Sequence, residues 1–105
     1  MDPKEVFSAM QKGNCILVDV REEDELRSEG TAEGALWMPT SKMDTDEWTS
    51  FKQKLPKGKD IVCYCKSGMR SGRVAGLLCA EGFQAKNLGG FSVWKNAQLP
   101  TKKFA

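Results

Sequence analysis

Apolar residues recur along this chain in two rhythms, and the rhythms alternate. Ile16 to Val20 (ILVDV) is short, apolar and β-branched, the signature of a buried strand. Ala35 to Met38 (ALWM) reads as a second strand ended by Pro39, Asp60 to Tyr64 (DIVCY) as a third, and Ala85 to Leu88 as a short fourth. Helical spacing fills the gaps. Asp2 followed by Pro3 predicts an N-cap and a first helical residue; Val6, Phe7 and Met10 follow, and Gly13 is a natural stop. Arg21 to Ser28 carries one apolar residue, Leu26, and suits a short exposed helix ending near Gly30. In Asp46 to Leu55, Trp48, Phe51 and Leu55 stand at i, i+3 and i+7, with Asp44 or Thr45 as cap; Pro56 and Gly58 then break the chain. Ser71 to Glu81 predicts a strong helix with Val74, Leu77 and Leu78 on one face and Gly82 at its end. Gly89-Gly90 precedes a last short helix with Phe91, Val93 and Trp94, and the residues from Pro100 onward read as a loose tail.

Strands alternating with helices argue an α/β fold with a mainly parallel sheet. The 105 residues fit one domain, with a core over about residues 3–97 and a tail over 98–105, and no internal repeat. A chain of this length can bury a core without disulfides or metals.

Composition narrows the function. The net charge of +2 and the absence of a dense Lys/Arg cluster give no nucleic-acid footprint. No apolar run approaches a membrane span. The opening MDPKEVFSAM has neither a basic n-region nor a long apolar stretch, so no secretory signal is expected. Cys15, Cys63, Cys65 and Cys79 are then expected to be free thiols in a reducing, cytoplasmic setting. Histidine is missing altogether, which rules out Cys-His and Ser-His catalysis within the chain and every His-ligated metal site.

The strongest local feature is IVCYCKSGMRSGRVAGLL, from Ile61 to Leu78: an apolar strand, a loop CKSGMR, then a helix. Ligands of open α/β sheets collect at the carboxyl ends of the strands, where Cys65 falls. A loop curling into a helix N-terminus aims backbone N–H groups at one spot, and the helix dipole adds partial positive charge. Gly68 permits the turn, while Lys66, Arg70 and Arg73 add cations and Ser71 can cap the helix. A thiolate is stabilised in such a setting, so Cys65 reads as a reactive cysteine that needs no imidazole. The same field would draw in an anionic substrate.

These segments resemble the rhodanese family, specifically its small single-domain members. The resemblance runs from about Pro3 to Trp94 and rests on VDVRE (Val18 to Glu22), EGTAEGALWMP (Glu29 to Pro39), the strand, loop and helix around Cys65, and GFQAKNLGGFSVWK (Gly82 to Lys95). It implies a rhodanese-like α/β fold, with the sheet flanked by helices on both faces. It also implies a sulfurtransferase in which Cys65 takes the outer sulfur of thiosulfate or a similar donor as a persulfide and passes it on. Lys66, Ser67, Gly68, Met69, Arg70 and Ser71 would bind substrate, their backbone N–H groups holding the persulfide and Lys66 and Arg70 the anionic donor. The implied partners are a small anionic sulfur donor and a small thiophile, thiol or protein acceptor, with no nucleic acid, membrane or cofactor, in a monomer or weak dimer. A persulfide relay fed by a protein and a non-catalytic interaction domain are the alternatives; the intact Cys65, Gly68 and Arg70 argue against the second. Related phosphatases use Cys-x5-Arg, whereas Cys65 to Arg70 is the shorter Cys-x4-Arg. The family's Gly-His-Ile-Pro-Gly-Ala is here Gly30-Thr31-Ala32-Glu33-Gly34-Ala35, which predicts an altered loop rather than lost activity.

Asp19 and Arg21 could belong to the site, but are read first as forming an ion pair or hydrogen bonds that fix the loop after their strand. Cys63 shares a strand face with Cys65 but is poorly placed to bridge it and reads as core, as do Cys15 and Cys79. A Cys63/Cys65 metal site lacks two further ligands. Trp37, Trp48 and Trp94 read as core or half-buried, and the acidic stretch up to Glu29 as a solvated face.

Overall fold

In the computed structural model, which describes residues 1–104, eleven elements follow one another along the chain. They are α1 (Pro3–Gln11), β1 (Cys15–Asp19), α2 (Glu23–Glu29), β2 (Thr31–Ala32), β3 (Leu36–Trp37), α3 (Asp46–Lys54), β4 (Asp60–Cys65), α4 (Met69–Ala80), β5 (Gln84–Gly90), α5 (Phe91–Asn96) and β6 (Thr101–Lys102). The main sheet has the order β3-β1-β4-β5 with every pair parallel. Its two central strands are β1 and β4, the two most continuous apolar runs, because a strand covered on both faces has no polar side to show. On one face Trp48, Leu55, Val74 and Leu78 from α3 and α4 pack on Val18, Val20, Ile61 and Cys63. On the other Val6, Phe91 and Trp94 from α1 and α5 pack on Leu17, Val62 and Tyr64. Helices on both faces of a parallel sheet are the architecture that the sequence pattern predicts.

Several boundaries differ from expectation for local reasons. Thr45, not Asp44, caps α3, its hydroxyl accepting the Trp48 N–H at 3.4 Å. The second helix starts at Glu23, because Arg21 is drawn fully into the interior. Met69 already opens α4, after Gly68 in a left-handed conformation at φ 99°, so Ser71 lies inside the first turn instead of capping it. Leu77 turns outward at 41% exposure, leaving Val74 and Leu78 as the packed face. Cys79 is exposed on α4 rather than core, its thiol donating to the Ala85 carbonyl. The residues from Pro100 are no loose tail. β6 pairs antiparallel with β2, the Trp94 indole donates to the Pro100 carbonyl at 2.7 Å, and Phe104 meets Trp37 edge-on. Strands of two residues leave no periodicity to read.

The loop after β1 is fixed from inside the protein. Asp19 and Arg21 are both 0% exposed and paired at 2.8 Å, as their spacing predicts. The same carboxylate accepts the Tyr64 phenol at 2.6 Å and the Thr31 hydroxyl at 2.9 Å. Tyr64 in turn accepts the Ala32 N–H, and Arg21 donates to the Gly30 carbonyl. The altered Gly30–Ala35 segment is therefore tied in through Thr31 and Ala32. Among the described residues every buried side-chain nitrogen and oxygen has a partner.

Removing one member of a buried charge pair leaves the other uncompensated in a medium of low dielectric constant. Asp19→Asn is therefore expected to destabilise the fold by about 3–5 kcal/mol, read from urea unfolding followed by tryptophan fluorescence. A loss below 1 kcal/mol would show that Arg21 finds water or another acceptor.

Candidate active site

Cys65 is the last residue of β4, and the chain must turn sharply there to enter α4. The end of β5 makes room for that turn. Cys65 pairs with Gly90, and Tyr64 with Gly89, after a bulge that skips Leu88. A side chain at Gly90 would collide with the Lys66 carbonyl, and one at Gly68 would press on the Gly89 backbone at 3.1 Å. The paired glycines thus let the loop lie directly against the neighbouring strand.

Within that turn the loop closes on the sulfur. The Gly68 N–H lies 3.0 Å from Cys65 Sγ and the Ser71 hydroxyl 3.3 Å from it. Burial pushes the Cys65 thiol upward. The Ser71 hydroxyl and the backbone N–H groups of Ser71, Gly68 and Ser67 outweigh it, so the thiol sits below its ordinary value. Its strand neighbour shows what happens without such donors: burial, with a smaller contribution from Cys79, pushes the Cys63 thiol up to about 12. Two cysteines on one face of one strand therefore differ in chemistry because only the second meets the loop.

Of the seven residues singled out in this segment, four converge: Cys65, Ser67, Gly68 and Ser71. Lys66 is exposed, and Met69 stands 82% exposed at the start of α4. Arg70 is not a free anion receptor. Its guanidinium grips Glu25 of α2 in a two-pronged ion pair at 2.6 and 2.8 Å. The Arg70 hydrogen bonds hold the Glu25 carboxyl down to about 2, and the pair raises Arg70 in turn. The acidic stretch is thus in part a wall of the site and not only a solvated face.

Two contributors have no motif in the sequence. One is Glu25, which is 45 residues from Arg70 along the chain. The other is Asn87 on β5. Its side-chain NH₂ donates to the Gly68 carbonyl at 2.9 Å. Its carbonyl oxygen accepts the Gly89 N–H at 3.0 Å and the Ser71 hydroxyl at 2.7 Å. Those bonds fix the orientation of the amide and brace both ends of the loop. The Ser71 hydroxyl has one proton for three acceptors, Cys65 Sγ, Asn87 Oδ1 and the Gly89 carbonyl, and a thiolate at Cys65 is the one that carries charge. A polar Asn just before two glycines at a strand end was the only available hint. A recess of about 380 Å³ beside α1, lined by Asp2, Glu5, Cys15 and Asp60 among others, lies at the amino ends of β1 and β4, far from this chemistry.

Removing the Ser71 hydroxyl takes a donor from the thiolate and a hydrogen bond from the Asn87 brace, while the backbone N–H groups stay in place. Ser71→Ala is expected to move the midpoint of Cys65 alkylation by iodoacetamide to higher pH, measured as rate against pH with intact-mass assignment of the site. An unmoved midpoint would mean that the backbone N–H groups carry the stabilisation alone.

A model of the rhodanese-like domain matches residues 2–97. The thiosulfate sulfurtransferase GlpE of Coxiella burnetii is 31% identical over 99 residues, 92% of this chain and 86% of that protein. The tRNA uridine(34) hydroxylase of Oceanobacillus iheyensis is 31% identical over 86 residues, 80% of this chain. The match spans only 26% of the hydroxylase's length. Among solved structures, the polysulfide-sulfur transferase homodimer of Wolinella succinogenes superposes with a TM-score of 0.79 at 27% identity, covering 100% of this chain and 78% of that one. No helix among the described residues is long and apolar enough to cross a membrane.

Proposed function

The chain belongs to the rhodanese-like domain family, and from that premise we propose that it is a sulfurtransferase that carries sulfane sulfur as a persulfide on Cys65. The observation that carries the reading is the convergence of the Gly68 N–H and the Ser71 hydroxyl on Cys65 Sγ at the N-terminus of α4. The likeness to the C. burnetii thiosulfate sulfurtransferase and to the W. succinogenes sulfur transferase supports it.

The chemistry needs no proton transfer at the sulfur. The Cys65 thiolate attacks the outer sulfur of thiosulfate; a new S–S bond forms, and the bond to the sulfonate sulfur breaks as sulfite leaves with the electron pair. A thiophile such as cyanide then attacks the terminal sulfur, forms thiocyanate and returns the thiolate. This splits one transfer into two displacements on a single nucleophile. The loop N–H groups steady negative charge on sulfur in both resting forms, and a chain without histidine can run the cycle. Cys65 is 0% exposed, so a donor reaches its sulfur only with some movement of the residues around it.

A second reading is a persulfide relay that takes sulfur from, or gives it to, another protein. Met69, 82% exposed beside the loop, is the observation that favours it, because a large apolar side chain at the mouth of a site suits a protein partner.

Incubation with thiosulfate is expected to add the mass of one sulfur, which cyanide removes as thiocyanate, and Cys65→Ser is expected to abolish both, by intact-mass spectrometry and thiocyanate assay. Loading only from a protein persulfide supports the relay, and loading from neither sinks both readings. Arg70→Ala is expected to reduce kcat/KM for thiosulfate about tenfold or more, against less than threefold for Arg73→Ala, because Arg70 is near enough for the Cys65 charge to raise it while Arg73 is exposed on the helix. Equal losses in a cyanide-coupled assay would mean that the donor does not approach along the Arg70 side.

A further inference from the structure

The one cation that the candidate site holds in place, Arg70, is outnumbered by the carboxylates of Glu22 and Glu25. Glu25 holds Arg70 through both guanidinium nitrogens, at 2.6 and 2.8 Å. Glu22 joins from the residue before α2, where its carboxylate accepts the Ser41 N–H, the Ser41 hydroxyl and the Thr40 hydroxyl. Burial raises the Glu22 carboxyl, but the bonds from Ser41 and Thr40, with a further contribution from the Arg70 charge, outweigh it and hold it low; Glu25 is the carboxylate in contact with the guanidinium. One cation against two anions leaves this wall with a surplus negative charge, and a Cys65 thiolate adds another. The remaining cations nearby, Lys66 and Arg73, are exposed and make no ion pair among the described residues. In water their charges are screened far more than those of a half-buried cluster. The loop N–H groups favour any anion, but do so as neutral dipoles.

From this geometry we infer that Glu25, supported by Glu22, is a specificity-determining residue: through Arg70 it sets the site to prefer sulfane-sulfur donors with one negative charge over dianionic ones. The inference rests on the sulfurtransferase reading and deepens it, since it names the charge class of the donor. Glu25 does not touch the reacting sulfur; it acts by neutralising the guanidinium that would otherwise receive a second negative charge.

Two donors isolate that variable. Thiosulfate is a dianion at neutral pH. Methanethiosulfonate replaces one of its anionic oxygens by a methyl group and is a monoanion. Each gives its outer sulfur to a thiolate, thiosulfate releasing sulfite and methanethiosulfonate releasing methanesulfinate, so both enter the same first displacement. Intrinsic differences in their reactivity cancel when the ratio of their kcat/KM values is compared between proteins. The full chain, Glu25→Gln and Glu22→Gln would be assayed with both donors and cyanide at low and at high ionic strength. Glutamine can still accept the Glu22 N–H that Glu25 now accepts at 3.0 Å, so the start of α2 keeps that bond. The thiosulfate-to-methanethiosulfonate ratio is expected to rise about tenfold in Glu25→Gln at low ionic strength and to fall back toward the wild-type value as salt is added. Glu22→Gln is expected to raise it by a smaller factor and carries the same test should Glu25→Gln fail to fold. A ratio that stays constant or falls in the folded variants, with both donors still loading Cys65, would overturn the inference and leave the sulfurtransferase reading standing. Failure of both donors to load wild-type Cys65 would overturn the small-donor reading, and the inference with it.

Discussion

The buried Asp19 carboxylate is the point on which the rest of this molecule hangs. It sits at the carboxyl end of β1 and draws in Arg21, Thr31 and Tyr64 at once. Each bond reaches a different part of the chain. Tyr64 is the residue before Cys65, so anchoring its phenol fixes the last turn of the pleat in β4. Strand alternation then sends Cys65 to the opposite face from Tyr64, toward α4. Arg21 stacks over Phe91, with its guanidinium carbon 4.3 Å from the ring centroid, and holds the Gly30 carbonyl, which closes the C-terminus of α2. A helix pinned at both ends carries Glu25 to Arg70. One interior charge thus positions the strand that bears the sulfur and the helix that walls its site. Charges this deep in a protein are costly unless they are paired and hydrogen-bonded, and among the described residues every buried side-chain nitrogen and oxygen has a partner.

The loop itself obeys a different constraint, set by backbone geometry. Several N–H groups can face one atom only if the chain folds tightly back on itself, and that brings main chain against main chain. The absence of side chains at Gly68, Gly89 and Gly90 makes the approach possible, and Asn87 supplies from its side chain the bonds that a third strand would have supplied. Ser71, with its hydroxyl inside the first turn of α4, links the brace to the sulfur. The result is a cradle in which nothing needs to change its charge.

How much of this could be read from the chain follows from how local each signal is. The strands Ile16–Val20 and Asp60–Tyr64, the helix around Val74 and Leu78 and the turn glycines were all legible, because hydrophobic period and turn chemistry are properties of neighbouring residues. Cys65 was legible for the same reason: strand, loop and helix adjoin it in sequence. Asp19 and Arg21 stand two apart, and the reading of them as an architectural pair matches the buried contact. What escaped is non-local. The β2–β6 pair joins residues some 70 apart through two-residue strands. Glu25 looked like one of several solvated acids, and nothing in its surroundings marks it as the partner of Arg70. Asn87 looked like an ordinary polar residue of an edge strand. The exposure of Leu77 and Cys79 turns on how narrow the buried stripe of α4 is, with Val74 and Leu78 at its centre, and that width is set by the elements packed against the helix.

That non-local electrostatics, rather than the motif, sets the working range of the site. The motif reads as a cluster of cations and invites the conclusion that any anion will be drawn in. The folded molecule answers Arg70 with a carboxylate held down to about 2, and with a second one also held low, so through the neutral range neither changes its charge. Arg70 is raised and stays cationic. With no histidine in the chain, no imidazole titrates beside the cradle. Protonation of Cys65 is thereby separated from the field that acts on it. The loop bears on how readily the thiolate exists, while the proposed role of Glu25, Glu22 and Arg70 is to bias which anions approach it. Because the two tasks fall to different residues, on β4–α4 and on α2, each can vary without rebuilding the other. A fold that places them against each other through a single buried network can keep one sulfur chemistry and still serve donors of different charge.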